Sequence, residues 1–253
     1  MGVVGADLAE RLGRQAKKFG VEVLQAQEVV DIHKEDRYFS IHTGDGSDYI
    51  AKAVLLATGA SYRRLRVPGE DELVGINVHF CATCDGAFYK NKKVLVVGGG
   101  NSGFEESLFL TRFADQVDIV THGEPRASQI LQQKVSEQAN MQVITHHAIQ
   151  ELRGEKQLDA IVVKDLKSGE LKEWKYDGVF VFIGLTPNSS LGKELADVDK
   201  FGFLITDHGH MTSLPGLFSA GDVRAGATKQ AAVAAGEGAS AAISIREYLK
   251  EVG

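Results

Sequence analysis

Residues 79–103, HFCATCDGAFYKNKKVLVVGGGNSG, set two cysteines two residues apart just ahead of an apolar run that ends in glycines. The second half decides the fold. Lys93 to Val97 reads as a buried strand, Gly98, Gly100 and Gly103 fit the G-x-G-x-x-G spacing, and a helix is predicted to begin near Asn101. Between a strand and a helix, such glycines permit a tight turn and let the backbone approach a pyrophosphate. Asn101 and Ser102 then stand at the helix N-terminus, where N–H groups point at an anion. Val117 to Thr121 reads as a second strand, Gln129 to Gln138 as a helix and Gln142 to Thr145 as a third strand, the alternation that builds a parallel sheet.

The end of the second strand selects between nicotinamide cofactors. It reads THGEPRAS, residues 121–128. His122 and Arg126 suit the 2'-phosphate of NADPH, Glu124 suits the ribose hydroxyls of NADH, and a merely solvated loop is the third reading.

Cys81 and Cys84 are the only cysteines in the chain, so no disulfide framework staples it. A structural zinc site needs four ligands, and His79 supplies at most a third nearby. Haem attachment requires histidine where Asp85 stands. The pair is therefore read as a redox dithiol, in which one thiolate attacks and the other resolves, in preference to two reduced core cysteines. Asp85 beside it is placed to carry the proton that thiol exchange needs.

Working outward, residues 5–19 place Leu8, Leu12, Ala16 and Phe19 at helical spacing ahead of Gly20, predicting a packed surface helix. The following segment, from Val21, alternates and turns at 34–36 and 44–46 as short hairpin strands do, closing on a buried strand at Val54 to Ala57 and Thr58-Gly59. VLLATGA near residue 57 and VFVFIGL near residue 182 are both strands ending in a glycine turn, an internal echo that fits two related domains. The last fifty residues give a strand, Gly221-Asp222, and a long Ala-rich helix. An Asp at the C-terminal end of a strand in an α/β fold can accept from a ligand hydroxyl.

The bulk properties narrow the partners. Of 253 residues 43% are hydrophobic, enough for a sizeable core, and a net charge of −6 gives no basic face for nucleic acid. No apolar window reaches membrane-spanning length and no signal pattern opens the chain, so a cytoplasmic protein without membrane or nucleic-acid partners is expected.

LLATGA, CATCDG, VVGGGNSG, FIGLTPN and LFSAGDVR with KQAAVAAGEGA, in this order across nearly the whole chain, resemble the low-molecular-weight thioredoxin reductases of the two-dinucleotide-domain flavoprotein superfamily. The resemblance implies an α/β fold of two Rossmann-like domains. The NAD(P)-binding domain, 67–193, carries the dithiol, and a discontinuous FAD-binding domain spans 1–66 and 194–253. It implies a homodimer passing a hydride from NADPH, or NADH, through FAD to the Cys81–Cys84 pair and on to thioredoxin or a thioredoxin-like protein. Cys84 would face the flavin, Cys81 would attack the partner disulfide, and Asp85 would serve as acid and base. Thr58, Gly59, Gly221 and Asp222 match flavin-contacting turns, and Lys229, Gln230 and Ala231 match the segment near the isoalloxazine.

Two departures qualify this. The family's opening strand and G-x-G-x-x-G, part of a βαβ unit of about 30 residues, are not found, so the flavin domain is expected to be N-terminally incomplete and to bind FAD weakly or not at all unless another segment or subunit fills the gap. The family's H-R-R-x-x-x-R is here THGEPRA, keeping only Arg126. The alternatives are a flavin-free remnant or dithiol-presenting binding module, or a relative drawing electrons from another donor such as ferredoxin.

Overall fold

A computed structural model of the protein describes residues 5–253. The chain forms two compact units, one made of the residues up to Gly59 together with Pro187–Gly253, the other of Ala60–Thr186. The first unit opens with α1 (Gly5–Lys18), closed at Gly20, where φ is 81° and the N–H donates to the Lys17 carbonyl. The helix is where its spacing predicts, but it is not packed: none of its residues is buried, and Leu12 is 54% exposed. Apolar spacing creates a face; only a neighbouring element buries it.

Residues 21–28, expected as strand, form none, and Ala26 stands at φ 57°. The alternation of Val21 and Val23 supplies a face but no ladder partner, because the adjoining sheet begins one segment later. That sheet is an antiparallel meander of β1 (Val29–Glu35), β2 (Tyr38–Thr43) and β3 (Asp48–Ala51), with the predicted turns at Asp36 and at Gly46. Its inner face carries Ile32 and Phe39 into the core, and β4 (Val54–Leu56) follows.

The second unit begins with β5 (Ala60–Tyr62), α2 (Glu70–Leu73), β6 (Val78–His79) and α3 (Ala82–Asp85), the last running into a 3-10 turn at Gly86–Tyr89. Then come β7 (Lys93–Val97), α4 (Asn101–Leu110), β8 (Gln116–Val120), α5 (Gln129–Ser136) and β9 (Met141–Ile144). An antiparallel sheet of β10 (His147–Arg153), β11 (Ala160–Asp165) and β12 (Leu171–Trp174) precedes β13 (Gly178–Val181) and β14 (Leu185–Pro187), which pairs with β5. The parallel sheet runs β6-β13-β7-β8-β9.

Alternate residues of β7 explain why that run is apolar throughout. Leu95 and Val97 pack with Ile149, Leu152, Ile161 and Val163 of the antiparallel sheet, while Val94 and Val96 pack with Phe104, Leu110 and Val135 of the helices. A parallel strand covered on both faces has no polar side to show.

The chain returns to the first unit through β15 (Leu217–Ser219), paired in parallel with β4 so that Ser219 lies opposite Leu56, and ends in α6 (Ala231–Glu251). Leu56, Leu204, Leu217 and Val223 complete the core begun by Ile32 and Phe39. Among the described residues no helix is long and apolar enough to cross a membrane.

Candidate active site

Cys81 and Cys84 form a disulfide across the first turn of α3, with their Cα atoms 5.3 Å apart. Cys81 is the N-cap residue in an extended conformation, and its sulfur accepts from the Cys84 N–H at 3.1 Å. Cys84 is exposed and Cys81 half-buried, so the bond is open to a partner.

Asp85 closes the same turn, and its Oδ2 lies 3.4 Å from Nδ1 of His79, whose side chain is only 6% exposed. On the far side of that ring, Nε2 lies 2.7 Å from the Tyr89 hydroxyl. Burial pushes Tyr89 up to about 12 and pulls His79 below its ordinary 6.5, against the opposing attraction of Asp85. A glycine makes the arrangement possible: a Cβ at Gly178 on β13 would stand 2.3 Å from the Tyr89 ring. The unsubstituted backbone lets Tyr89 lie against the sheet, with Phe180 packing against both His79 and Tyr89.

The turn after β7 is built as its spacing predicts. A Cβ at Gly98 would meet the Phe182 carbonyl oxygen at 2.4 Å and one at Gly103 would meet the Gly98 carbonyl oxygen at 2.4 Å, whereas one at Gly100 would meet nothing within 4 Å. Two glycines close the turn, and the third leaves space at the start of α4. The loop after β8 folds onto it: the N–H groups of Arg126 and Ala127 donate to the Gly99 carbonyl, and Asn101 Oδ1 accepts from Ser128 N–H at 2.9 Å. Gly98, Gly99, His122, Glu124 and Arg126 line one cavity of about 580 Å³. Glu124 also reaches His146 Nε2 at 3.7 Å. Ser102, like Asn101, is exposed on the first turn of α4.

The remaining sequence-predicted positions all fall in the first unit. Thr58 and Gly59 follow β4, where the Thr58 hydroxyl donates to the Asn188 carbonyl and Asn188 N–H donates to the Gly59 carbonyl. Gly221 and Asp222 follow β15, and Gly221 N–H donates to Glu237 of α6, which also pairs with Arg224. Lys229 turns its ammonium to the carbonyls of Asp222 and Arg224 and over the Phe203 ring, and burial lowers its pKa. Its side chain thus holds the loop together, while Gln230 and Ala231 lead into α6.

A family model described as "Pyridine nucleotide-disulphide oxidoreductase" matches residues 4–238. The chain belongs to the pyridine nucleotide-disulphide oxidoreductases. It is 38% identical to a thioredoxin reductase of Treponema pallidum, covering 98% of this chain and 80% of that protein. Its structure is similar to those of thioredoxin reductases from Streptococcus pyogenes, at 35% identity and a TM-score of 0.92, and Giardia duodenalis, at 34% and 0.91. Each covers 98% of this chain, and the matched regions are 81% and 82% of those chains.

Membership in this oxidoreductase family implies a pyridine nucleotide and a flavin. The residues present leave room for a ligand in each unit. The open space at Gly100 suits a nucleotide phosphate at the α4 N-terminus. In the first unit Gly59 and Gly221 stand at φ 73° and 76° beyond the C-terminal ends of paired parallel strands, and no atom approaches a Cβ at Gly59, Gly226, Gly236 or Gly238 within 4 Å. Such strand ends are where α/β sheets take ligands.

The structure thus gathers Cys81, Cys84 and Asp85 on one turn and Gly98, His122 and Arg126 on one cavity. It adds His79 and Tyr89, which no sequence signal singled out as a pair: they are ten residues apart and meet only because Gly178, on another strand, leaves room.

Proposed function

We propose that this oxidoreductase is a thioredoxin-disulfide reductase, carrying a hydride from a nicotinamide nucleotide through FAD to the Cys81–Cys84 disulfide and on to thioredoxin or a thioredoxin-like protein in the cytoplasm, as a homodimer. The observation that carries the reading is the disulfide on the first turn of α3, flanked by Asp85 and the buried His79–Tyr89 pair. The Ala60–Thr186 unit holds the nucleotide and the dithiol, and the other unit holds the flavin. The flavin supplies the two-electron relay between nicotinamide and disulfide.

This chain's residues do the rest. Gly98, Gly100 and Gly103 let the backbone of the turn and the α4 N-terminus, with Asn101 and Ser102, bind the pyrophosphate, and Arg126 with His122 orients a 2'-phosphate, favouring NADPH. Thr58, Gly59, Gly221, Asp222, Gln230 and Ala231 line the flavin site, and Lys229 braces its loop from behind. Two electrons open the Cys81–Cys84 bond; Cys84 would be the sulfur that exchanges electrons with the flavin, and Cys81, as thiolate, would attack the partner's disulfide. The mixed disulfide is then resolved by Cys84, which restores the Cys81–Cys84 bond and releases the partner as a dithiol. Asp85, backed by His79, moves the proton between the sulfurs and solvent.

The test is an absorbance spectrum of the protein purified with excess FAD, then anaerobic addition of NADPH or NADH, then oxidised thioredoxin. The flavin band should bleach with NADPH and recover on adding thioredoxin. Cys81→Ser and Cys84→Ser should each bleach normally yet lose thioredoxin turnover by ~10³-fold or more. A colourless protein, or a Cys84→Ser variant that still turns over, would overturn the reading.

A further inference from the structure

The outer face of the β1-β2-β3 meander carries a set of donors that disulfide reduction does not use. Asp31 and His33 alternate along β1 and so share a face; His42 of β2 stands opposite Asp31, and Asp48 of β3 stands opposite His42. One ligand atom from each of Asp31, His33 and His42 lies within 4.8 Å of the others. His33 Nε2 pairs with Asp31 Oδ2, His42 Nδ1 pairs with Asp48 Oδ1, and the two rings meet edge to face at 5.6 Å.

A bulge creates this row. Val29 lies opposite Thr43 while Asp31 lies opposite His42, so Val30 is an inserted residue with no partner across the ladder. In an unbroken ladder Val30 would oppose His42 and Asp31 would oppose Ile41, on the face that carries Ile32 and Phe39 inward. The one-residue insertion therefore moves a carboxylate from the core side to the side of the two imidazoles.

We propose that Asp31, His33 and His42 bind a divalent transition-metal ion of the zinc type, with Asp48 as the outer carboxylate that orients His42. Imidazole nitrogen with one carboxylate oxygen suits Zn2+ better than the hard oxygen-seeking cations, and three protein ligands leave a fourth position for water. Donors on paired strands are already held in place, unlike donors on a loop. A carboxylate against the second nitrogen of a ligating histidine is the usual outer support of such sites. Bound ion would tie β1 to β2 in the unit with the smaller core.

The experiment is calorimetric titration of ZnCl2 into tag-free protein with Cys81–Cys84 oxidised, so that thiolates do not compete, paired with thermal unfolding with and without the ion. One equivalent should bind saturably and raise the unfolding midpoint. His33→Gln and His42→Gln should each abolish both effects, and Asp48→Asn should weaken binding ~10-fold or more. All three side chains are solvent-accessible, so these variants should fold, and far-UV circular dichroism checks that they do; either histidine variant alone is decisive. Absence of saturable binding, or binding and stabilisation unchanged in either His33→Gln or His42→Gln, would overturn the proposal.

Discussion

At the scale of single residues, the protonation state of His79 follows from its two neighbours. Tyr89 is held as the neutral phenol, in hydrogen-bond contact with Nε2. With the ring neutral, the tautomer protonated on Nδ1 lets Nε2 accept from Tyr89 and points N–H toward Asp85 Oδ2. Because burial lowers the folded-state pKa of His79 below 6.5, the unfolded chain binds a proton at mildly acidic pH that the folded chain refuses. Stability from this residue is therefore complete above 6.5 and declines as pH falls through that value toward the folded pKa. Urea midpoints at pH 7.5 and 5.5 should fall more steeply for the native protein than for His79→Asn; equal slopes would mean that His79 is not buried neutral. The Cys81–Cys84 pair and the place of Asp85 beside it were legible because they lie within one short stretch of sequence. The pairing of His79 with Tyr89 was not, because it depends on a ring ten residues on and on the missing side chain of Gly178. The same holds for Asp31, whose facing is set by a bulge and not by the alternation of its strand.

At the scale of elements, β7, the glycine turn and α4 were legible to the residue, since an apolar run buried on both faces ends where glycines begin. The alternation at 21–28 misled because pattern cannot supply a partner strand, and α1 shows the same limit for a helix face. The three glycines of the turn separate structure from binding. Gly103→Ala forces a Cβ to within 2.4 Å of a backbone oxygen and should cost ~1–3 kcal/mol of stability, as overpacking does. Gly100→Ala meets no protein atom within 4 Å, so the unfolding midpoint should hold while the KM for the nicotinamide nucleotide rises ~10-fold, the worth of one charge-assisted hydrogen bond. Thermal melts beside steady-state kinetics decide it; a Gly100→Ala protein with native KM would remove the phosphate from this turn.

At the scale of the whole molecule, the two units are unequally built. The Ala60–Thr186 unit buries two separate hydrophobic clusters, one on each face of a five-stranded sheet. The other unit buries one smaller cluster around Ile32, Phe39, Leu56, Leu204, Leu217 and Val223, and leaves Leu8, Leu12 and Phe19 exposed. Since burial of apolar area is the main favourable term in folding, the second unit should resist denaturant further. The sequence provides separate reporters: the single tryptophan, Trp174, lies on β12 of the larger-cored unit, while the two longest helices, α1 of 14 residues and α6 of 21, lie in the other. In equilibrium urea unfolding the helical signal should therefore be lost at a lower midpoint than Trp174 fluorescence, a departure from two-state behaviour. Superimposable curves from the two probes would mean that the units unfold as one cooperative body in spite of their separate cores. A Trp174 transition that came first would reverse the order inferred from the two cores.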